Sequence, residues 1–388
     1  MQRQTNWFDY FAPTKIVYEA GSAGKIGDIV KKYGSRFLII NIRKDDQNQN
    51  GLDSIADAVT ARTDGCVIHN DLIGDPDTEQ IDSATYFARR SHADCIIAYG
   101  GIDTINTAKA VALLSNNSFF AADLFNNKPE IVNPPKPLVI VPTEPTLGEE
   151  LTGYFTLIDA ETNIRRNYTN ELIFPETCIY DTTLSSYVKS DMAAQIGGAI
   201  LAVAIERFFS PGTNPVIDTL LTHVFQLLHE SLLPYYKDPS DQKGLRNIYW
   251  SSTMTGLSLV NVPNGLNWAL AQVLSNKTQL NFHHALSLMI PYVMEYYLTT
   301  VSEKYVSISK AFKRDVGDIS VIEAAIQAIE HIRNLFSSLN LPTRLSEFYI
   351  TQQELPEIAK EVATFPQLAN SPKKLRQDEI ESILLTAM

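Results

Sequence analysis

The sequence predicts two domains of different class: an α/β domain with a doubly wound parallel sheet over residues 1–185, and an all-α domain over residues 186–388. Short runs of β-branched residues alternate with helix-length segments in the first half, which is typical of βαβ units. In the second half, apolar residues recur at helical spacing almost throughout. A chain of 388 residues is also long enough to bury two separate hydrophobic cores.

Four apolar runs in the first half have the length of buried strands. They occupy residues 36–41, 66–69, 94–99 and 137–141. Helical spacing with a polar outer face lies around and between them, over residues 23–33, 54–62, 78–92 and 104–114. Because strands and helices alternate, we expect the strands to run parallel in one sheet.

The pattern changes near residue 150. Residues 154–158 and 165–170, joined by a turn at 159–163, predict a hairpin, and residues 176–181 predict a last strand. Helices are predicted over residues 193–209, 217–233, 266–274, 284–298, 321–339 and 378–387. Prolines such as Pro215 and Pro234 punctuate these helices, because proline has no N–H to continue the hydrogen-bond ladder.

The composition excludes several classes of partner. The chain carries 32 Lys and Arg against 44 Asp and Glu, a net charge of −12, and no long basic run, which argues against nucleic acid and anionic membrane surfaces. Cys66, Cys95 and Cys178 form no CxxC pair and are expected to be buried, reduced thiols. The first residues show no apolar leader, and the longest apolar run, 196–205, is too short to cross a bilayer. We therefore expect a cytoplasmic protein.

A strand, a glycine pair and a helix start follow one another at residues 98–109. With Gly100 and Gly101 in the turn, this order directs backbone N–H groups and the positive end of a helix dipole towards one point, where a phosphate can bind. A plain strand-to-helix turn capped by Asp103 fits the same residues. The glycine pair alone does not decide between the two.

The same segment resembles the glycine-rich signature GGGSxxDxAK of the iron-containing (group III) alcohol dehydrogenases. Residues 141–152 are similar to that family's PTTAGTGSEVT loop, residues 174–181 resemble its P-x-x-x-x-x-D strand, and residues 289–294 resemble its LLPHVM helix. The similarity extends in order from about Pro13 to the final helices. It implies the dehydroquinate synthase-like, iron-containing alcohol dehydrogenase fold, with an NAD(P) cofactor and a divalent metal held by one Asp and three His.

The resemblance places the metal ligands of the family on residues that cannot bind a metal. The Asp falls on Ala199, and the three ligand His fall on Val203, Trp268 and Phe282. The family's catalytic His falls on Gln272. Side chains of Ala, Val, Trp and Phe offer no lone pair to iron or zinc. We therefore expect no metal, and we assign no catalytic residue.

His283 and His284 lie one and two positions beyond the last ligand position. A one-residue gap would bring one of them into place, but a single ligand does not make a stable site. The alternative is that both residues pack against or cap the start of a helix.

The resemblance also implies a set of cofactor-binding residues: Gly100, Gly101, Asp103, Asn106, Thr143 and Arg165. Three changes work against a dinucleotide at these positions. Ile102 replaces the third glycine, Asp103 replaces the serine beside the phosphate, and Glu144 adds bulk and a carboxylate in the second loop. Two like charges about 4 Å apart repel by roughly 4 kcal/mol at an effective dielectric constant near 20.

Two basic residues, Arg43 and Lys44, follow the first predicted strand. Arg43 could contact the 2′-phosphate of NADP, although such a pair also fits a solvated turn. If a dinucleotide binds, the sequence slightly favours NADP(H).

Three functions remain open. The first is a catalytically degenerate homologue that acts as a binding or assembly protein, with a possible protein partner. The second is a metal-independent NAD(P)-dependent oxidoreductase acting on a small alcohol or aldehyde and using another acid, for which Arg165, Gln272 and His283 or His284 are the nearby candidates. The third is a non-redox enzyme whose site is lined by Trp268, Gln272 and Phe282. The family resemblance also implies a homodimer.

Overall fold

The structure, a computed structural model, describes residues 8–42, 49–72, 74–126, 129–185 and 188–388. It divides into two compact units. The α/β unit comprises Ala12–Val188, and the helical unit comprises Lys189–Met388 together with residues 8–11. Residues 8–11 join the helical unit through Phe11, whose backbone N–H donates to the Asn261 side chain at 2.8 Å and whose carbonyl accepts from it at 2.9 Å.

A six-stranded sheet, parallel throughout, forms the centre of the α/β unit. Its strands are β1 Lys15–Tyr18, β2 Arg36–Ile40, β3 Gly65–His69, β4 Cys95–Gly100, β5 Leu138–Pro142 and β8 Thr177–Tyr180. Their order across the sheet is β1-β8-β5-β4-β2-β3. The predicted parallel sheet is confirmed, and the sequence pattern missed only the short edge strand β1.

A hairpin stands apart from this sheet, as predicted. Its strands are β6 Tyr154–Asp159 and β7 Ile164–Thr169, which pair antiparallel. A bridge between Asp77 and Ile158 attaches the hairpin to the start of a helix in the α/β unit.

The helices of the α/β unit are α1 Ile26–Val30, α2 Gln49–Thr60, α3 Thr78–Arg90, α4 Ile102–Ser115 and α5 Asp123–Asn126. The helix predicted over 23–33 is instead a 3₁₀ turn, Ser22–Lys25, followed by the short α1. Helix α3 begins with a capping box between Asp77 and Gln80. Thirteen of the fourteen residues of α4 are buried, so this helix is enclosed on all sides.

The helical unit contains α6 Ser190–Phe209, α7 Pro215–Lys237, α8 Gln242–Asn261, α9 Leu266–Lys277, α10 Phe282–Tyr297, α11 Ser302–Ala311, α12 Val321–Ser338, α13 Leu355–Val362 and α14 Gln377–Thr386. The sequence predicted that Pro234 would interrupt a helix. This residue instead lies inside α7, one turn before its end. Pro291 likewise lies inside α10. Each proline removes one N–H from the ladder, but the rest of the helix remains bonded.

Helix α8 was not predicted, because its buried face is rich in hydroxyl groups. Ser251, Thr253 and Ser258 are fully buried, and each hydroxyl donates to a carbonyl three or four residues earlier in the same helix. Because serine and threonine are polar, the sequence of α8 lacks the regular apolar spacing that predicts a buried helix.

Helix α6 is longer than the apolar run seen in the sequence. The helix has 20 residues, and its most apolar 18-residue stretch has a mean hydropathy of 1.4, so it is long and apolar enough to cross a membrane. However, 89% of that stretch is buried within the protein. This burial is typical of the core helix of a soluble domain.

Candidate functional site

The glycine turn lies at the carboxyl edge of the parallel sheet, between β4 and α4. Thr143, just after β5, donates its N–H to the carbonyl of Gly100 at 3.2 Å. The hydroxyl of Thr104 accepts from the N–H of Ile42 at 3.1 Å and packs against Gly100, where an added Cβ would lie 2.3 Å from it. The turn is thus closed too tightly for a side chain at Gly100.

Helix α4 begins at Ile102, with Gly101 as its N-cap and no capping side chain. The alternative in which Asp103 caps the helix is therefore wrong: Asp103 lies in the first helical turn, where its charge faces the positive end of the dipole. Asp103 is buried, with 8% of its surface exposed.

Glu144 lies directly on the glycine turn. A Cβ added to Gly101 would be 1.9 Å from Oε1 of Glu144, so the carboxylate occupies the space that a side chain would need. Glu144 is 5% exposed. The carboxylate of Glu144 therefore lies against Gly101, in the turn where the sequence predicted a phosphate.

Asn106, in the second turn of α4, has a buried polar atom without a partner. The residue is 6% exposed, and its Oδ1 has no hydrogen-bond partner among the described residues. A buried acceptor left unpaired is unfavourable by about 1–3 kcal/mol. This atom could accept a hydrogen bond from a ligand or a buried water.

Lys109 supports the second loop, a role that the sequence reasoning missed. Its Nζ is fully buried and donates to the carbonyls of Glu149, Thr152 and Tyr154 at 2.5, 2.6 and 2.8 Å. Burial lowers the pKa of Lys109 to about 7, opposed by the carboxylates of Glu149 and Glu150. A single lysine within an apolar helix was the signal in the sequence.

The two other carboxylates of this loop bond within their own unit. Glu150 accepts from the Tyr180 hydroxyl at 2.6 Å and from the Thr146 hydroxyl. Glu149 accepts from the N–H of Leu147 at 3.0 Å. Glu144 differs from both because it is the one that contacts the glycine turn.

Arg165 lies on β7 and is partly exposed. Its guanidinium forms an ion pair with Asp75, in the segment between β3 and α3. The structure thus brings Gly100, Gly101 and Thr143 together, with Asp103 and Asn106 in the adjoining turns of α4, and gives Arg165 a different partner. Arg43 and Lys44 lie outside the described residues.

The residues that the resemblance aligns with the family's metal positions lie in the helical unit. Ala199 and Val203 are fully buried one turn apart on α6. The rings of Trp268, on α9, and Phe282, at the start of α10, meet edge to face with centroids 4.8 Å apart and an interplanar angle of 76°. Two positions that would have to converge on one ion are therefore neighbours, but they present aromatic carbon.

His283 and His284 lie in the first turn of α10. The cap is neither of them but Asn281, whose side chain accepts from the N–H of His283 at 2.9 Å. Burial lowers the pKa of His284, which favours its neutral form. Gln272 lies one turn after Trp268 on α9.

Glu206 fixes the start of α9 and hence the position of Trp268. Its Oε1 accepts from the N–H groups of Asn267 and Trp268, the latter at 3.1 Å. Burial raises the pKa of Glu206, and the backbone hydrogen bonds from Gly265 and Trp268 oppose the rise. This carboxylate therefore replaces the capping side chain that Gly265 lacks.

We tested the metal positions against the ligand chemistry of iron and zinc. Within the described ranges, no group of three or more His, Cys, Asp or Glu side chains could hold a metal ion. The four positions carry methyl, isopropyl, indole and phenyl groups, none of which binds such ions. The residues present do not fit the metal that the fold implies.

A parallel-sheet unit with a glycine turn, followed by an all-helical unit, is the architecture of the dehydroquinate synthase-like, iron-containing alcohol dehydrogenase fold. Family models match almost the whole chain: "Iron-containing alcohol dehydrogenase" over residues 13–182, and "Fe-containing alcohol dehydrogenase family, C-terminal" over residues 194–388. The chain belongs to the iron-containing alcohol dehydrogenase family, which confirms the resemblance found in the sequence.

Characterised relatives are similar over nearly their full length. Sulfoacetaldehyde reductase of Bilophila wadsworthia (strain 3_1_6) is 24% identical, over 97% of this chain and 98% of the relative. 1,3-Propanediol dehydrogenase of Citrobacter freundii is 22% identical, over 98% of each chain.

Solved structures confirm the fold. A crystal structure of 1,3-propanediol oxidoreductase superposes with a TM-score of 0.92 at 21% identity, covering 99% of this chain and 100% of the other. The sulfoacetaldehyde reductase of Bifidobacterium kashiwanohense, crystallised in complex with NAD⁺, gives a TM-score of 0.88 at 20% identity, covering 98% of each chain.

Proposed function

We propose that this chain is a member of the iron-containing alcohol dehydrogenase family that has lost metal-dependent hydride transfer and acts as a binding or assembly protein. The observation that carries the proposal is the edge-to-face contact of Trp268 and Phe282, 4.8 Å between ring centroids, at two of the family's metal positions. An aromatic pair of this kind stabilises the fold by about 0.5–1.5 kcal/mol beyond its burial.

The other two positions support the same conclusion. Ala199 and Val203 are both fully buried on α6. A metal ion would need at least three ligands in place of this hydrocarbon. A divalent ion would act as a Lewis acid that stabilises the developing alkoxide. The side chains at the four aligned positions cannot replace it in this role.

The named activities of the relatives favour a second candidate. These relatives include reductases and dehydrogenases of small aldehydes and alcohols. A metal-independent NAD(P)-dependent oxidoreductase acting on a small alcohol or aldehyde would use a protein acid instead of the ion. Burial lowers the pKa of His284 and so favours its neutral form, which has no imidazolium proton to donate, and the Arg165 guanidinium is already paired with Asp75.

The decisive experiment is to measure the metal content of the purified protein after growth with added iron and zinc. We expect no stoichiometric metal. The variant carrying Ala199→Asp, Val203→His, Trp268→His and Phe282→His should bind one ion per chain if the positions are assigned correctly.

A stoichiometric metal in the unaltered protein would contradict the proposal, whether or not the fourfold variant folds. Consumption of NADPH or NADH with a panel of short aldehydes, unaffected by a chelator, would instead favour the second candidate.

We further propose a cytoplasmic homodimer that does not bind nucleic acid or a membrane. The net charge of −12 supports the last two points. Light scattering of the purified protein and a pull-down from its own host would test the dimer and the protein partner.

A further inference from the structure

We infer that Glu144 is an internal anion that closes the phosphate position of the glycine turn, so that this chain excludes the pyrophosphate of a dinucleotide unless Glu144 is removed. The inference concerns the nucleotide position alone and is independent of the metal positions in the helical unit.

The start of α4 produces a positive electrostatic potential at the glycine turn. The N–H of Ile105 bonds to the carbonyl of Gly101 at 3.1 Å and is the first N–H with an acceptor inside α4, so the N–H groups of residues 102–104 point beyond the start of the helix. Together with the helix dipole, such groups attract an anion. Helix α4 has 14 residues and no capping side chain of its own at Gly101.

The carboxylate of Glu144 lies at this turn. Oε1 of Glu144 lies 1.9 Å and its Cδ 2.5 Å from the point where a Cβ of Gly101 would be. This glycine is the residue whose missing side chain would let a phosphate approach the backbone. Because two groups cannot share that space, the carboxylate and a pyrophosphate exclude each other.

The backbone on both sides of Glu144 is held in place. It follows Thr143, whose backbone N–H bonds to Gly100 and whose carbonyl accepts from the Ser185 hydroxyl at 2.9 Å. Beyond it, the loop is fixed by Lys109 through three carbonyls. Rotating the loop away would break these bonds.

The probe is ADP-ribose, which carries the pyrophosphate of the cofactor but no nicotinamide ring, so its binding does not depend on redox chemistry. Binding would be measured by calorimetry on the full chain. We expect no binding by the unaltered protein and an increase in affinity of roughly a hundredfold or more in Glu144→Ala, because the variant removes both the bulk and the like charge.

Two further variants separate charge from bulk and supply a control. Glu144→Gln keeps the shape and removes the charge, so it should bind ADP-ribose more weakly than Glu144→Ala. Glu149→Gln removes a carboxylate of the same loop that bonds to Leu147 and should leave affinity unchanged. If Glu144→Ala does not fold, Glu144→Gln carries the test.

Thermal unfolding gives an independent readout. Removing the internal anion should lower the melting temperature, and inorganic pyrophosphate should restore it in Glu144→Ala but not in the unaltered protein. Micromolar binding of ADP-ribose by the unaltered protein, or equal affinity in both Glu144 variants and the Glu149 control, would overturn the inference. Either result leaves the metal measurement, and the function proposed from it, unaffected.

Discussion

Replacing Lys109 by Met should destabilise the α/β unit by about 3 kcal/mol, because methionine keeps the length of the side chain but cannot donate hydrogen bonds. Nζ of Lys109 donates to the carbonyls of Glu149, Thr152 and Tyr154 at 2.5, 2.6 and 2.8 Å. Each buried carbonyl left unpaired is unfavourable by about 1–3 kcal/mol. The carbonyl of Glu149 keeps the N–H and the hydroxyl of Thr152 as donors, so two carbonyls are left without Lys109. Their gross loss is about 2–6 kcal/mol, and relief of the buried lysine's desolvation brings the net loss to about 3 kcal/mol.

Lys136→Met is the matched control, because Nζ of this half-buried lysine donates to the single carbonyl of Ala93, at 2.7 Å. We expect a loss of about 1 kcal/mol in that variant. Urea unfolding followed by circular dichroism would give both values, and hydrogen exchange should show faster opening of residues 149–154 only in Lys109→Met. Equal losses of stability in the two variants would refute the view that Lys109 holds the second loop.

Three further predictions concern titratable side chains, of which His69 and Glu206 are buried and His331 is partly buried. His69→Phe should raise the free energy of unfolding by about 1 kcal/mol, measured by urea unfolding. His69 is 6% exposed, neither of its ring nitrogens has a hydrogen-bond partner among the residues that the structure describes, and its ring already stacks on Phe87. A loss of stability would count against this prediction. Glu206→Ala should lower the free energy of unfolding by about 1–2 kcal/mol in the same assay, because it removes the cap of α9. Glu206→Gln should retain most of that stability, because it keeps Oε1 as an acceptor. Equal losses of stability in the two variants would exclude the capping role. Burial, with the charges of His229 and Arg314, lowers the pKa of His331 to about 4, against 6.5 in the unfolded chain. Between these two pH values the unfolded chain binds one proton more than the folded chain. The free energy of unfolding should therefore fall as the pH drops from 6.5 to 4. His331→Phe should flatten that slope by up to about 1.4 kcal/mol per pH unit in unfolding curves at several pH values, and an unchanged slope would refute the assignment.

The fold could be predicted from the sequence wherever burial produced a clear period. The central strands were found because each lies in a continuous apolar run, as in β2, which is buried from Phe37 to Ile40. Helix α8 was missed because its buried serines and threonines satisfy their hydroxyls locally. Edge strand β1 was missed because its four residues are only partly buried and carry little pattern.

The candidate site could be predicted only in part. The family resemblance grouped Gly100, Gly101 and Thr143 in one site, and the structure places them at the ends of the neighbouring strands β4 and β5. The sequence also indicated that Glu144 adds a carboxylate to the second loop, but not that this carboxylate lies on Gly101, because side-chain direction in an irregular loop depends on tertiary packing. The role of Glu206 was not predicted, because its bond to the N–H of Asn267 at the start of α9 bridges 61 residues of sequence.

The bond between Phe11 and Asn261 has a consequence for synthesis of the chain. Residues 8–11 belong to the helical unit, so the α/β unit, Ala12–Val188, is inserted into the helical unit near its beginning. The two partners are separated by 250 residues, which a ribosome adds in about 10–50 seconds at roughly 5–20 residues per second. During that interval Phe11 has no Asn261 to bind, while the whole of the α/β unit has already been translated. The α/β unit can therefore fold first. The helical unit is completed last, when residues 8–11 bind the segment that contains Asn261.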